Sequence, residues 1–311
     1  MSGCLGALLL IGCGTAEPGS RGPGIDLLVF GPHPDDESLG CGGILADAWR
    51  SGRRAKVVLF TNGDGNKEAG ALMVGKPGAS LTPDDYKLVS QARQIHVRQA
   101  MAALGAAPED LILLGYPDTT LARLYQDKES PPLTNPPTGR SATYGFVQPD
   151  YHTATRGTAA PYTHAAIMAD LTELLRALRP REVYVTHEAD SHPDHQAACR
   201  FVRDAVRESG VPATLYAYLV HGGPGAEWPW PRGRAGQERF ESHEVGGKRI
   251  PAGVPWPPTH RVALSPEATR AKGKALERHL AFMGIEAPAA KRDYFEAFVK
   301  SEEIFWPVEI R

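Results

Sequence analysis

Five short runs of the chain are apolar almost without interruption: "IDLLVF" (25–30), "AKVVLF" (55–60), "DLILLG" (110–115), "EVYVT" (182–186) and "TLYAYLV" (214–220). Strands with one wet face alternate between apolar and polar residues. These do not, so they read as strands covered on both sides in a parallel sheet. Helical patterns lie between them. "QARQIHVRQAMAALG" (91–105) and "HQAACRFVRDAVRESG" (195–210) each stop at a glycine. In "THAAIMADLTELLRALRP" (163–180), Ile167, Met168, Leu171, Leu174, Leu175 and Leu178 fall on one face. Strand alternating with helix predicts βαβ units. The expected fold is therefore α/β, a Rossmann-like doubly wound sheet, mostly parallel, in one three-layer domain over residues 25–311. Its last part reads as a helix near 266–283, then a helix and a short strand in "YFEAFVKSEEIFWPVEI".

Residues 122–162 and 221–260 break this rhythm with Pro- and Gly-rich sequence such as "ESPPLTNPPTGRSATYG" and "HGGPGAEWPWPRGRAGQ". Irregular segments of this length are functional or disordered, and here they are expected to be active-site loops. A content of 42% hydrophobic and 23% charged residues in 311 suits a globular chain, and a formal charge of −2 offers no general attraction for nucleic acid. Residues 1–24 read as a leader and flexible tether. Residues 5–12 are too few to span a bilayer, and "LIGC" (10–13) resembles the lipobox of bacterial lipoproteins, although no Lys or Arg precedes Arg21. That reading makes the protein an exported lipoprotein anchored to a membrane through Cys13; the alternative is a cytoplasmic protein with a disordered leader. Cys41 and Cys199 sit among small or apolar residues, as buried free thiols do, and no CxxC pair suggests a cysteine metal site.

In doubly wound sheets ligands bind beyond the carboxyl ends of the strands. The first four strands run into "GPHPDDE", "TNGDG", "YPDTT" and "HEADSHPDH" in turn. Four strand ends thus bring His33, Asp35, Asp36, Asp64, Asp118, His187, Asp190, His192 and His195 towards one edge. Carboxylates that crowded repel one another unless a cation holds them. Histidine plus carboxylate ligands describe a catalytic Zn²⁺ or similar divalent site. His33 and Asp36, three apart on a strand-to-helix turn, can point to one centre, and "HPDH" can supply a third ligand. Asp35 should then point elsewhere, towards a water at the cation. No GxxxxGK[ST] or GxGxxG follows a strand, which disfavours nucleotide-phosphate chemistry.

"VFGPHPDDESLGCGG" together with "THEADSHPDH" resembles the PIG-L (LmbE-like) family of metal-dependent de-N-acetylases. The resemblance implies that His33, Asp36 and His195 bind zinc, that Asp35 is the general base, and that His192 is the acid or oxyanion-stabilising partner. It also implies that Asp118 touches the sugar and that Arg93 binds substrate, although the family's R-x-x-E appears here as Arg93-Gln-Ile-His96. Some relatives carry a tyrosine two residues before the first histidine of "HPDH". Asp190 stands there, so a tyrosine at the oxyanion must come from another loop or be absent. Asp64 is a turn residue or a further substrate contact, and Asp194 a first-turn carboxylate or the support of His192. His187 is a loop residue, a support or a ligand. Trp228, Trp230 and Trp256 either stack on sugar rings or pin their loop, and His221 and His243 read as surface residues.

Amide hydrolysis needs a nucleophile at neutral pH, oxyanion stabilisation and a proton for the departing amine, and this residue set can supply all three. The expected activity is zinc-dependent removal of acetyl from an N-acetylated amino sugar in a glycan, glycolipid or glycoconjugate. The alternatives are a metal-dependent amidase or esterase on another acylated metabolite or glycopeptide, and a non-catalytic carbohydrate-binding lipoprotein. A degenerate binder should have lost the base or a ligand, and this chain keeps both.

Overall fold

The five apolar runs become the parallel strands β1 (Leu27–Gly31), β2 (Ala55–Thr61), β3 (Leu111–Tyr116), β4 (Glu182–Thr186) and β5 (Thr214–Tyr218). The computed structural model describes residues 24–232, 239–241, 250–251, 253–281 and 287–310. Within them the sheet has seven strands in the order β3-β2-β1-β4-β5-β7-β6. β6 (His260–Ala263) and β7 (Glu302–Pro307) close one edge, β7 pairing antiparallel with both β5 and β6. β6 was not expected from the sequence. The leader with Cys13, and His243, lie outside the described residues. No helix among the described residues is long and apolar enough to cross a membrane.

The strands lack alternation because both sheet faces are dry. Leu27, Val29, Val57 and Leu59 pack on one side against α1 (Asp36–Arg50), α3 (Pro83–Leu104) and α8 (Pro266–Ala281). Leu28, Phe30, Val58 and Phe60 pack on the other against α6 (His164–Leu178) and α7 (Pro193–Ser209). Register is fixed at the centre, where Val29 faces Val57 on one flank and Tyr184 on the other. Cys41 and Cys199 are buried free thiols in separate cores, as their sequence context suggested.

Shorter helices fill the connections: α2 (Lys67–Val74), α4 (Leu121–Gln126), α5 (Tyr151–Arg156) and α9 (Ala289–Glu296). The helix expected over 91–105 begins earlier, at Pro83. A capping box starts it there, with Asp85 N–H donating to the Thr82 hydroxyl and Thr82 N–H to the Asp85 carboxylate. The 122–162 segment is less irregular than its composition implies. It contains α5 and a bridge between Ala142 and Pro161, and Tyr144 ties it to the core through bonds to Asn62 and Asp64.

Close packing of α1 on the sheet depends on a missing side chain. A Cβ on Gly40 would lie 2.1 Å from the ring of Tyr218, whose hydroxyl donates to the Phe30 carbonyl at 2.8 Å. Gly40→Ala improves helix propensity by about 1 kcal/mol but overpacks this contact. A net loss of about 1–3 kcal/mol is expected from urea unfolding; a stabilised variant would contradict the contact.

Candidate metal and catalytic site

β1 and β4 are neighbours, and the connections that follow them run in opposite directions, to β2 and to β5, which opens a crevice between the β1 and β4 loops. The "HPDDE" and "HPDH" segments meet in that crevice. Asp36 is the first residue of α1, and His195 lies in the first turn of α7. His33 Nδ1 lies 3.2 Å from Asp36 Oδ2, His195 Nε2 lies 3.2 Å from the same oxygen, and the two ring nitrogens are 3.3 Å apart. All three side chains are buried.

The triangle fits a cation. A tetrahedral ion with bonds of about 2.0–2.1 Å needs ligand atoms roughly 3.3 Å apart, and nitrogen and carboxylate oxygen are its usual donors. The surroundings point the same way. Burial opposes ionisation of Asp36, yet His195 and His33 hold its carboxyl well below the usual range. Burial likewise disfavours protonated His195, but Asp190 and Asp36 outweigh it and push its pKa up to about 10. A site that grips a proton this firmly on its ligand atoms offers the same field to a divalent ion, which competes for those atoms.

Behind each imidazole of the triangle stands a carboxylate, the placement that in metal sites orients the ring and raises its basicity. His33 Nε2 lies 3.1 Å from Asp118 Oδ1 and 3.5 Å from Asp194 Oδ2. His195 Nδ1 lies 3.2 Å from Asp190 Oδ2. Asp118 therefore stands behind His33 and also lines the cleft where sugar contact was expected. Its other oxygen accepts from Gly65 N–H at 2.8 Å. Asp194 accepts from the N–H groups of Thr119 and Leu121, which fixes the loop that carries Asp118. It is also the first-turn carboxylate of α7 that its position suggested, and its backbone N–H donates to His192 Nδ1.

Asp64 does not reach the cleft as a substrate contact would. It is fully buried, accepting from Asp118 N–H at 3.2 Å and from the Tyr144 hydroxyl at 2.6 Å. Arg93 does stand in the cleft wall, with Nη2 3.1 Å from Asp35 Oδ2 and donating to the Pro34 carbonyl at 2.7 Å. Its guanidinium runs across Gly63, where φ is +63° and a Cβ would be 2.1 Å from Nη1. Glycine there is a steric requirement for this arginine.

The cleft holds about 200 Å³. Asp35 faces it in a strained backbone conformation, φ 151° and ψ −26°. Such geometry costs on the order of 1–3 kcal/mol and concentrates at functional positions. His192, the N-cap of α7, accepts from Asp194 N–H through Nδ1 at 3.2 Å, so the neutral ring carries its proton on Nε2. Burial, then the nearby charges of His33 and His195, push its pKa down to about 4, which keeps that ring neutral near pH 7.

His221 and Tyr294 are among the cleft residues missed in the sequence. His221, read as a surface residue, lines the cleft with Nδ1 3.2 Å from Asp190 Oδ1, so Asp190 braces two histidines at once. Tyr294, from α9, also lines it, but its hydroxyl is committed to the Val220 carbonyl at 2.8 Å. His187 is elsewhere, accepting from Ala189 N–H and packing edge-on against Trp306. Trp228, Trp230 and Trp256 do not line the cleft; Trp228 is buried against Phe240, and Arg261 lies over Trp256.

Residues 28–206 match the PIG-L family, described as GlcNAc-PI de-N-acetylase. That is more than half of the chain, and it contains the whole triangle; the chain belongs to this family. A 1D-myo-inositol 2-acetamido-2-deoxy-alpha-D-glucopyranoside deacetylase of Mycobacterium leprae is 28% identical over 215 residues, 66% of this chain. The chain spans only 58% of that relative's length. Among solved structures, a zinc-inhibited form of teicoplanin deacetylase aligns with a TM-score of 0.51 at 17% identity, covering 91% of this chain and 97% of its own. N,N'-diacetylchitobiose deacetylase from Pyrococcus horikoshii aligns at 0.50 and 15%, covering 92% and 84%. 4-Carboxy-2-hydroxymuconate hydratase from Pseudomonas putida aligns at 0.52 and 15%, covering 92% and 98%. These likenesses establish the fold, and a hydratase among them shows that fold alone does not fix the reaction.

Asp64 gives the site's support a pH signature. Burial and the charge of Asp118 push its pKa up to about 6, against about 3.9 in an unfolded chain. The folded state therefore keeps this proton longer, and the stability it contributes at low pH is lost as pH rises through about 6. Asp64→Asn removes the ionisation. Relative to the parent, the variant should gain about 1–3 kcal/mol in urea unfolding between roughly pH 4.5 and pH 7. A difference that does not change with pH would contradict this.

Proposed function

We propose that the protein is a zinc-dependent hydrolase that removes acetyl from an N-acetylated amino sugar. The observation that carries the proposal is the buried triangle of His33 Nδ1, Asp36 Oδ2 and His195 Nε2, set beside a separate, strained carboxylate in an open cleft. The substrate class is supported by the description of the family and by the activity of the relative in M. leprae. The family resemblance and the retained Asp35 favour an enzyme over a carbohydrate-binding module.

His33, Asp36 and His195 would hold the ion. When bound, it supplies Lewis-acid polarisation of a carbonyl and lowers the pKa of water to about 7. Asp35 takes a proton from the attacking water, its carboxylate held at the cleft by Arg93. His192 offers Nε2–H to the oxygen of the former carbonyl as negative charge gathers there. Collapse breaks the C–N bond, and the proton on Asp35 passes to the departing nitrogen. The products are the free amine and acetic acid, which loses its remaining proton to solvent as acetate, and the base is restored. Asp190 and Asp118 act through the two ligand imidazoles, and Asp118, which also lines the cleft, is the sugar contact.

The test is release of free amine from N-acetylglucosamine, N,N'-diacetylchitobiose and 1D-myo-inositol 2-acetamido-2-deoxy-alpha-D-glucopyranoside, with zinc-loaded and chelated protein. Release from at least one, dependent on metal, is expected. Asp35→Asn should keep zinc and lose about 10²-fold or more in turnover, whereas Asp36→Ala should lose zinc. His192→Ala should keep zinc and lose rate. If Asp35→Asn loses metal as thoroughly as Asp36→Ala, Asp35 is a ligand and the assignment of roles is wrong.

A further inference from the structure

Asp35 is the N-cap of α1, a position where an aspartate normally turns its carboxylate onto the helix's free N–H groups. Here that carboxylate makes no capping bond and faces the cleft and Arg93, at the cost of a positive φ of 151°. Left to itself the segment would relax. What holds it comes from outside the loop. Glu37 reaches back so that its Oε2 accepts from Asp35 N–H at 3.0 Å. Its Oε1 accepts from the Ser38 hydroxyl at 2.6 Å and lies 3.0 Å from Nε2 of His279. A carboxylate has no proton to give, so His279 Nε2–H is the donor. Glu37 is completely buried and His279 is 7% exposed, so neither bond competes with bulk water. His279 is on α8, beyond the segment that matches the family.

We propose that Glu37 and His279 are positioning residues: through them α8 clamps the backbone of Asp35 in its strained conformation and keeps the carboxylate presented to the cleft. The catalytic consequence rests on the reading of Asp35 as the base; the clamp itself does not. A carboxylate free to rotate onto the end of α1 would be misplaced by an ångström or more, a displacement that can cost about 10²-fold in rate.

Two measurements on the zinc-loaded full chain test this. The first needs no substrate. Glycine tolerates φ of 151° better than alanine does, so Asp35→Gly should unfold at higher urea concentration than Asp35→Ala. In a His279→Leu background the clamp is gone, and that gap in midpoints should shrink to less than half. His279→Gln, which keeps an N–H within reach of Glu37, should restore it. Glu37→Gln serves as a second background should His279→Leu fail to fold. A gap of equal size in all backgrounds would overturn the clamp.

The second measurement is kinetic, with N,N'-diacetylchitobiose as the probe. His279→Leu should lower kcat about tenfold or more while KM and zinc content stay put. In an Asp35→Asn background the same substitution should cost less than twofold. An equal loss in both backgrounds would make His279 a general structural residue and overturn the positioning role. Full activity in Asp35→Asn alone would instead defeat the reading of Asp35 as base, with the clamp still decided by the urea midpoints.

Discussion

Two imidazoles and a carboxylate oxygen are packed within 3.2–3.3 Å of one another in a buried crevice. Protein interiors do not gather titratable groups so tightly without something to reconcile them, because each uncompensated buried charge costs several kcal/mol. Here a cation would reconcile them, and the architecture around the crevice can be read as support for that one demand. The parallel sheet supplies the place, at the split between the β1 and β4 connections. The N-termini of α1 and α7 bring Asp36 and His195 to the triangle.

Support for the triangle is layered, and charge decides the layers. Asp118 and Asp190 stand behind His33 and His195, and each of these carboxylates is itself tied down. Backbone N–H groups of Val220 and His221 donate to Asp190, and Gly65 N–H donates to Asp118. Farther out, Asp64 joins the Asp118 backbone to Tyr144 of the 122–162 segment. That segment, Pro-rich and unpromising by composition, is therefore part of the site's foundation. Asn135 within it also donates to the Asp118 carbonyl at 3.0 Å.

The parallel strands and the main helices were legible because burial on two faces writes itself as unbroken apolar runs. The triangle was legible through its motifs, since His33 and Asp36 share one turn and "HPDH" starts a helix. What was not legible depended on a partner distant in the chain. His221 stands alone after β5 and gains meaning only from Asp190, 31 residues earlier. Asp118 lines the cleft as its loop position suggested, but its second task, standing behind His33 at 3.1 Å, depends on an imidazole 85 residues earlier in the chain. Asp64 and Asp118 are both acidic loop residues after strands, and sequence cannot say which one is buried beneath the other. β6 is short and opens on His260 and Arg261, so neither alternation nor a continuous apolar run announces it.

The central claim is that His33, Asp36 and His195 together hold one divalent ion. X-ray absorption at the zinc edge, on apo-protein titrated with one equivalent of Zn²⁺, tests it most directly. The account predicts saturation at one ion per chain, with two imidazole nitrogens and a carboxylate oxygen among the ligands, and loss of that spectrum in His195→Ala. Stoichiometric zinc with the same spectrum in His195→Ala, or amine release by a protein that binds no stoichiometric metal, would contradict it.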